Sequence, residues 1–154
     1  AKNSLRRIIL DSKARTSVTA CVVSDECAAL TTVVVAKGAP ARRVAALRKR
    51  VNVLEAPARK GRVDLHWLLK RLGREEVTHL LVEGGGEVNA SFFENKIVQR
   101  VAFFYAPKVL GGKCARPAVG GKGAVNLKQA PKLENAQWRR LGPDLLLTAR
   151  VVGD

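Results

Sequence analysis

Apolar residues along the chain form short runs that alternate with longer amphipathic segments. The short runs are rich in aliphatic and β-branched residues, which predicts buried strands at 6–10, 31–36, 51–54 and 78–83. The longer segments predict helices at 40–50, 65–72 and 86–94. Alternating strands and helices of this size are typical of βαβ crossovers, so we expect a mainly parallel central sheet flanked by helices.

The segment after Asp64 carries the plainest helix pattern. Leucines recur at 65, 68, 69 and 72, on one face of a helix, and Gly73 provides a stop. Asp64 is a good N-cap because its carboxylate can accept an N–H from the first turn. The segment therefore predicts a helix with one buried face.

The last third of the chain has a different pattern. The run 98–105 predicts a further strand, apolar enough to be buried on both faces. Residues 106–125 are rich in Gly, Pro and Lys and predict a long loop, the kind that often carries function. Two strands at 132–141 and 144–152 around Gly142 then predict an antiparallel hairpin. We expect one α/β domain over residues 1–154.

Length and composition fit a globular domain. The 154 residues are 47% hydrophobic, and no apolar run reaches the roughly 20 residues that cross a bilayer. The three cysteines show no C-x-x-C spacing, and only two histidines are present. We therefore expect no metal site, reduced thiols, no membrane association and a cytoplasmic protein.

The charge balance points to anionic partners. Lys and Arg number 28 against 13 Asp and Glu, a net charge of +15, which suits nucleic acid or phosphorylated small molecules. The basic residues are scattered, and the densest cluster, 48–50, ends a predicted helix, where cations are favourable anyway. Because no aromatic residue lies within that cluster to stack on bases, we expect small phosphorylated ligands rather than nucleic acid.

The segment HLLVEGGGEVNASFFE, residues 79–94, has the features of a ligand site. A predicted strand ends at Glu83, three glycines follow at 84–86, and a helix then begins. A helix start leaves backbone N–H groups without partners, and glycines allow an anion to approach them closely. The G-x-G-x-x-G spacing is not met, because Asn89 stands where the third glycine would fall. The alternative is a plain tight turn.

Three motifs together resemble a known family. LDSKART at 10–16, the glycine segment at 79–94 and APKVLGG at 106–112 are similar, in order and spacing, to the reductase domain of bacterial riboflavin biosynthesis. The resemblance covers essentially the whole chain. It implies a dihydrofolate-reductase-like fold and NADPH-dependent reduction of 5-amino-6-(5-phosphoribosylamino)uracil to its ribitylamino form. It also implies a phosphorylated pyrimidine substrate and a homodimer.

The resemblance also assigns roles to residues. Glu83 would be the catalytic-site residue, in contact with the ribosyl part of the substrate; the alternative is a solvated carboxylate at a strand end. Ser12 would contact the cofactor, although Asp11-Ser12 is also ordinary turn chemistry. Lys13 and Arg15 are cations suited to a 2′-phosphate, or else solvated surface charges. The residues that would wrap the NADPH phosphates are Gly84, Gly85, Gly86, Glu87, Val88, Asn89, Ala90 and Ser91. The side chains of Asn89 and Ser91 could equally cap the helix.

The chain also departs from the family pattern. The family's domain begins some sixty residues earlier, and no H-x-E with P-C-x-x-C is present, so zinc deaminase chemistry is not expected. We therefore expect a domain that lacks its N-terminal part, with the cofactor half more complete than the substrate half. Two other functions stay open at this point: a basic nucleic-acid-binding module, and a dihydrofolate-reductase-like enzyme with another substrate.

Overall fold

The computed structural model describes residues 5–112 and 114–153. The chain divides into two compact units, Ala1–Thr78 and His79–Asp154. Each unit contains its own sheet, and each is described by itself.

The first unit is built on a parallel sheet of β1 (Arg7–Leu10), β2 (Thr31–Ala36) and β3 (Asn52–Ala56), in that order. The helix α1 (Cys21–Ser24) and a 3₁₀ turn connect β1 to β2, and α2 (Ala41–Arg48) connects β2 to β3. This arrangement confirms the predicted parallel sheet with helical connections. Since the strands are parallel, their carboxyl ends lie at the same end of the sheet, which we call its carboxyl edge.

The central strand β2 is buried along its whole length and separates two hydrophobic clusters. Successive strand residues point to opposite faces. Val33 and Val35 accordingly pack in the cluster that includes Val44 and Leu47 of α2. On the other face, Val34 and Ala36 belong to the cluster that includes two leucines of a later helix, Leu65–Arg74. Burial on both faces explains why β2 reads as an unbroken apolar run.

A small hairpin follows β3 and leads into the long helix of this unit. It consists of β4 (Ala58–Arg59) and β5 (Arg62–Val63), and α3 (Leu65–Arg74) comes directly after it. The Asp64 side chain accepts the Trp67 N–H at 3.0 Å, so the predicted N-cap is confirmed. Leu65, Leu68 and Leu72 are buried, as the periodicity predicted.

The second unit contains α4 (Gly86–Glu94) and an antiparallel sheet in the order β6-β8-β7. Its strands are β6 (Arg100–Tyr105), β7 (Leu133–Leu141) and β8 (Asp144–Val151). The predicted helix and the predicted C-terminal hairpin are both confirmed, and Gly142 takes the positive φ of +60° that the hairpin turn requires.

Two predictions about strands were wrong. The structure has no strand between Val63 and Arg100, a range it describes in full, so residues 78–83 are not a strand. A short apolar run indicates burial or β-propensity, but a strand also needs a neighbouring backbone with which to pair. The strand β6 is not buried on both faces: exposed and partly buried residues alternate over residues 100–103, and Phe104 is 67% exposed.

Candidate functional site

The turn after β1 is organised around Asp11, which is a buried carboxylate. It accepts the Thr16 N–H at 2.6 Å and the Thr16 hydroxyl at 2.7 Å. Burial alone would raise the pKa of Asp11, but hydrogen bonds from Thr16 and from the amides of Lys13 and Arg15 outweigh it, and the pKa is lowered. The turn also holds Ala14 at a φ of +50°. The carboxylate therefore fixes the shape of the LDSKART turn.

Ser12 uses both its hydroxyl and its carbonyl within the first unit. Its Oγ accepts the Val63 N–H at 3.1 Å, and its carbonyl accepts the Ala36 N–H at 3.2 Å. The residue predicted to contact a cofactor thus also connects the carboxyl ends of β1 and β2 to the small hairpin.

The two predicted cations beside Ser12 are exposed to solvent. Lys13 and Arg15 lie on either side of buried Ala14. Arg15 lines a shallow groove of about 390 Å³ that also includes Thr16, Val18 and Arg43. Since Arg43 belongs to α2, this groove is bordered by cations from two elements.

The three consecutive glycines at 84–86, in the second unit, differ in what surrounds them. A Cβ at Gly84 would stand 2.5 Å from Val88 Cβ, and one at Gly86 would stand 2.6 Å from the Pro117 carbonyl oxygen. A Cβ at Gly85 would meet nothing within 4 Å. Gly85 is the N-cap residue of α4, and no side chain caps that helix. A ligand can therefore approach the helix start at Gly85, whereas Gly84 and Gly86 are close-packed.

Part of the long loop, residues 117–121, lies against the first turn of α4. Gly120 N–H donates to the Gly86 carbonyl at 2.9 Å, and Gly121 N–H donates to Glu87 Oε1 at 3.2 Å. Asn89 Nδ2 donates to the Ala118 carbonyl at 2.8 Å. We refer to residues 117–121 as the docked loop. It ties the GGG motif to the segment that follows the APKVLGG motif.

The remaining predicted residues of α4 contribute to packing and to the helix itself. Val88 contacts Gly84, and Ala90 is buried. The Ser91 hydroxyl donates to the Glu87 carbonyl one turn earlier, at 2.8 Å. Glu83, which precedes the glycines, has an exposed side chain.

Two features, one in each unit, were not predicted from the sequence. The hairpin 58–63 has a recognisable signal, the Lys60-Gly61 pair between cationic residues, since Gly favours tight hairpin turns. The docked loop contains the pair Gly120-Gly121, but nothing in the sequence connects that pair to α4. Glu87 and Asn89 were predicted as cofactor contacts, and their structural bonds to the docked loop were missed.

The described residues fit an anionic, phosphate-bearing ligand better than a metal ion. The uncapped helix start with open space at Gly85 suits a phosphate, since helix N-termini favour anions. No group of three or more His, Cys, Asp or Glu among the described residues could hold a metal ion. Cys21, Cys27 and Cys114 are free thiols. Within residues 5–112 and 114–153, no helix has the length and apolar character needed to cross a membrane.

Comparison with known proteins gives consistent matches. The family model described as the RibD C-terminal domain matches residues 1–147. The chain is 40% identical over 147 residues to the 2,5-diamino-6-ribosylamino-4(3H)-pyrimidinone 5′-phosphate reductase of Methanothermobacter thermautotrophicus, covering 96% of this chain and 66% of that protein. It is 37% identical over 147 residues to the riboflavin biosynthesis protein RibD of Actinobacillus pleuropneumoniae, covering 95% of this chain and 39% of that protein.

A solved structure extends the match to the fold. Acinetobacter baumannii RibD superposes with a TM-score of 0.74 at 20% identity, covering 96% of this chain and 38% of that one. The chain therefore has the fold of RibD-type reductases, as the motifs predicted. It spans about two thirds of the archaeal relative and less than half of the two RibD proteins.

Proposed function

Because the chain belongs to the RibD C-terminal domain family, we propose that it takes part in the NADPH-dependent reduction of a phosphorylated ribosylaminopyrimidine in riboflavin biosynthesis. Relatives named as reductases imply a nicotinamide cofactor in general. The observation that carries the proposal is the open, uncapped helix start at Gly85. It offers a place for a pyrophosphate within a family of reductases.

The preference for NADPH over NADH is supported by charge. NADPH differs from NADH by a 2′-phosphate, and Lys13 and Arg15 offer two exposed cations on a turn whose shape Asp11 fixes. Ser12 lies at the same turn. The predicted cofactor contacts thus fall into two sets, Ser12, Lys13 and Arg15 in the first unit and residues 84–91 in the second.

We assign the substrate contact to Glu83. When bound, the nicotinamide supplies the hydride that converts the ribosyl group to a ribityl chain. The contribution of this chain is to bind and orient. Glu83 directly precedes the glycines and has an exposed carboxylate, which suits hydrogen bonds to sugar hydroxyls. Replacement of Glu83 by Gln should therefore lower turnover far more than it weakens cofactor binding.

The proposed substrate is 5-amino-6-(5-phosphoribosylamino)uracil. A second candidate is the 2,5-diamino-pyrimidinone named for the archaeal relative, which is favoured by the 40% identity. The two pyrimidines carry different groups at ring position 2, so oxidation of NADPH with each substrate in turn distinguishes them. Dihydrofolate serves as the third substrate in this assay, since turnover of dihydrofolate would contradict both candidates.

We propose further that the protein is a cytoplasmic homodimer. The free thiols support a reducing compartment. Exposed aromatic rings on the second sheet, Phe104 and Trp138 among them, support association between copies. Light scattering at several concentrations tests the dimer, and a constant monomer mass would contradict it.

The cofactor site is tested by titrating NADPH and NADH into the chain and following binding by calorimetry. We expect tighter binding of NADPH, and we expect Gly85→Val to abolish binding, because a β-branched side chain would fill the open approach to the helix start. Gly153→Val is the matched control, since a Cβ there also meets nothing within 4 Å. Equal affinities for NADPH and NADH would contradict a contact between the chain and the 2′-phosphate. Failure to bind either cofactor would overturn the proposal.

A further inference from the structure

The small hairpin after β3 presents an unusual concentration of cations. Arg59, Lys60 and Arg62 occupy three of four consecutive positions, with Gly61 between the last two. Lys60 has a φ of +52° and Gly61 a φ of +73°, the conformation of a tight two-residue hairpin turn. The cations are therefore carried by a short, defined turn rather than by a loose loop.

Backbone contacts fix the hairpin at the carboxyl edge of the parallel sheet. Val63 N–H donates to Ser12 Oγ at 3.1 Å, which places the end of β5 beside the turn that carries Lys13. Asp64 N–H donates to the Pro57 carbonyl at 2.9 Å and closes the base of the hairpin. Ligands of open α/β sheets commonly bind at this edge.

The carboxylates nearest to these cations in the sequence are engaged elsewhere. Asp11 binds Thr16, Glu55 pairs with Arg48, and Asp64 caps α3. Within residues 5–112 and 114–153, the structure gives Lys13, Arg59 and Lys60 no ion-pair partner. Positive charge at this edge is therefore left for a ligand to neutralise.

We propose that the hairpin, together with Lys13, binds the dianion of a phosphate monoester. This inference rests on the proposed function and deepens it, because it adds residues of the hairpin, which lies outside the LDSKART and GGG motifs. Two phosphate monoesters enter such a reaction: the 2′-phosphate of NADPH and the 5′-phosphate of the ribosylaminopyrimidine. Either phosphate would be held there by charge-assisted hydrogen bonds from Arg59 and Lys60.

The test uses a double variant that removes charge without disturbing the turn. Arg59→Gln keeps a polar side chain, and Lys60→Asn creates Asn-Gly, the sequence most favourable for this type of turn. The matched control is Lys49→Asn with Arg50→Gln, which removes the same two charges just before the amino end of β3, at the opposite edge of the sheet. Circular dichroism of both double variants should match that of the unsubstituted chain.

Binding of four probes is then measured: NADP⁺, NAD⁺, ribose 5-phosphate and ribose. We expect the hairpin variant to bind one of the two phosphate probes about tenfold more weakly than the unsubstituted chain does. Its affinity for the matching probe without the phosphate, NAD⁺ or ribose, should be unchanged. The affinity of the variant for the phosphate probe should also depend less on salt concentration. A loss confined to NADP⁺ assigns the 2′-phosphate, and a loss confined to ribose 5-phosphate assigns the substrate phosphate. The control variant should bind all four probes as the unsubstituted chain does.

Three results would overturn the inference: unchanged phosphate binding by the hairpin variant, an equal loss in the control variant, or no binding of either phosphate probe by the unsubstituted chain. Other results would contradict the proposed function without bearing on the hairpin. If the chain binds neither NADP⁺ nor NAD⁺, the cofactor assignment is wrong, while the ribose 5-phosphate measurement still tests the hairpin. If NADP⁺ is preferred and the hairpin variant retains that preference, the cofactor assignment stands and the hairpin does not hold the 2′-phosphate.

Discussion

Two residues with predicted ligand contacts also make structural hydrogen bonds. Ser12 is predicted to contact a cofactor, and its hydroxyl also accepts a backbone N–H from the hairpin. Asn89 is predicted to lie near phosphates, and its amide also binds the docked loop. Substitution of either residue would therefore change structure and binding together. The structural role is better tested at buried Asp11, and the proposed ligand contact is better tested at Gly85, where a Cβ would meet open space.

We predict that Asp11→Asn destabilises the protein by about 1–3 kcal/mol at neutral pH, the usual cost of a disrupted buried hydrogen bond. Folding lowers the pKa of Asp11 from its ordinary value of 3.8. The carboxylate therefore stabilises the fold above that value, and this stabilisation is lost as the pH falls through the lower pKa of the folded state. The difference between the two proteins should shrink below about pH 4.

Urea unfolding at a series of pH values measures this difference. Thr16→Val is the matched control, since it removes the hydroxyl donor at 2.7 Å but keeps the backbone donor and the carboxylate. We expect the free energy of unfolding of the Thr16→Val variant to retain part of its dependence on pH. A gap between Asp11→Asn and the unsubstituted protein that stays constant down to pH values well below 4 would contradict the assigned role of the carboxylate.

Elements were predicted with different success, for physical reasons that the individual segments make clear. The helix α3 was predicted well because its cap, its leucine spacing and its buried face are all local properties. The strand β2 was recognisable because burial on both faces gives it a continuous apolar run. Residues 78–83 have a similar composition, but whether a segment forms a strand depends on pairing with distant residues, which composition does not report. The docked loop depends on contacts about thirty residues away in sequence, such as Asn89 with Ala118.

The pair of glycines at the start of α4 provides a test at the scale of an element. A Cβ at Gly86 would lie 2.6 Å from the Pro117 carbonyl and 3.1 Å from Gly120 N, both of them backbone atoms. We predict that Gly86→Ala displaces the docked loop and costs about 1–3 kcal/mol. Gly85→Ala, one position earlier, should cost less, about 0.5 kcal/mol, because its Cβ meets open space at a φ of −73° and only the N-cap preference for glycine over alanine is lost.

Hydrogen exchange distinguishes loss of the docked loop from general destabilisation. In Gly86→Ala the amides of Gly120 and Gly121 should lose protection, since their acceptors are Gly86 and Glu87. The amides of β8 should keep theirs. Equal stability of the two alanine variants would mean that the docked loop does not hold the helix start.

The whole molecule is strongly cationic, and the arrangement of that charge bears on its partners. With a net charge of +15, weak attraction to any polyanion is unavoidable. Among the residues that the structure describes, Lys13 in the turn after β1 and Arg59 and Lys60 in the hairpin after β3 have no ion-pair partner, and all three lie at the carboxyl edge of the first sheet. A small site of this kind suits a phosphorylated metabolite. An extended basic surface with exposed aromatic rings between the cations would instead favour nucleic acid.

We therefore predict that RNA binds weakly, without sequence preference, and that its affinity collapses between about 50 and 200 mM salt, as the release of counterions requires. Fluorescence anisotropy with two unrelated oligonucleotides at several salt concentrations measures this. NADPH, which carries few charges, should lose much less affinity over the same range, and it should compete with RNA if both occupy the carboxyl edge. The control variant that lacks Lys49 and Arg50 should lower RNA affinity as much as the hairpin variant, because non-specific binding depends on total charge. RNA binding that resists salt and discriminates between the two sequences would overturn this ranking of partners and favour a nucleic-acid-binding module.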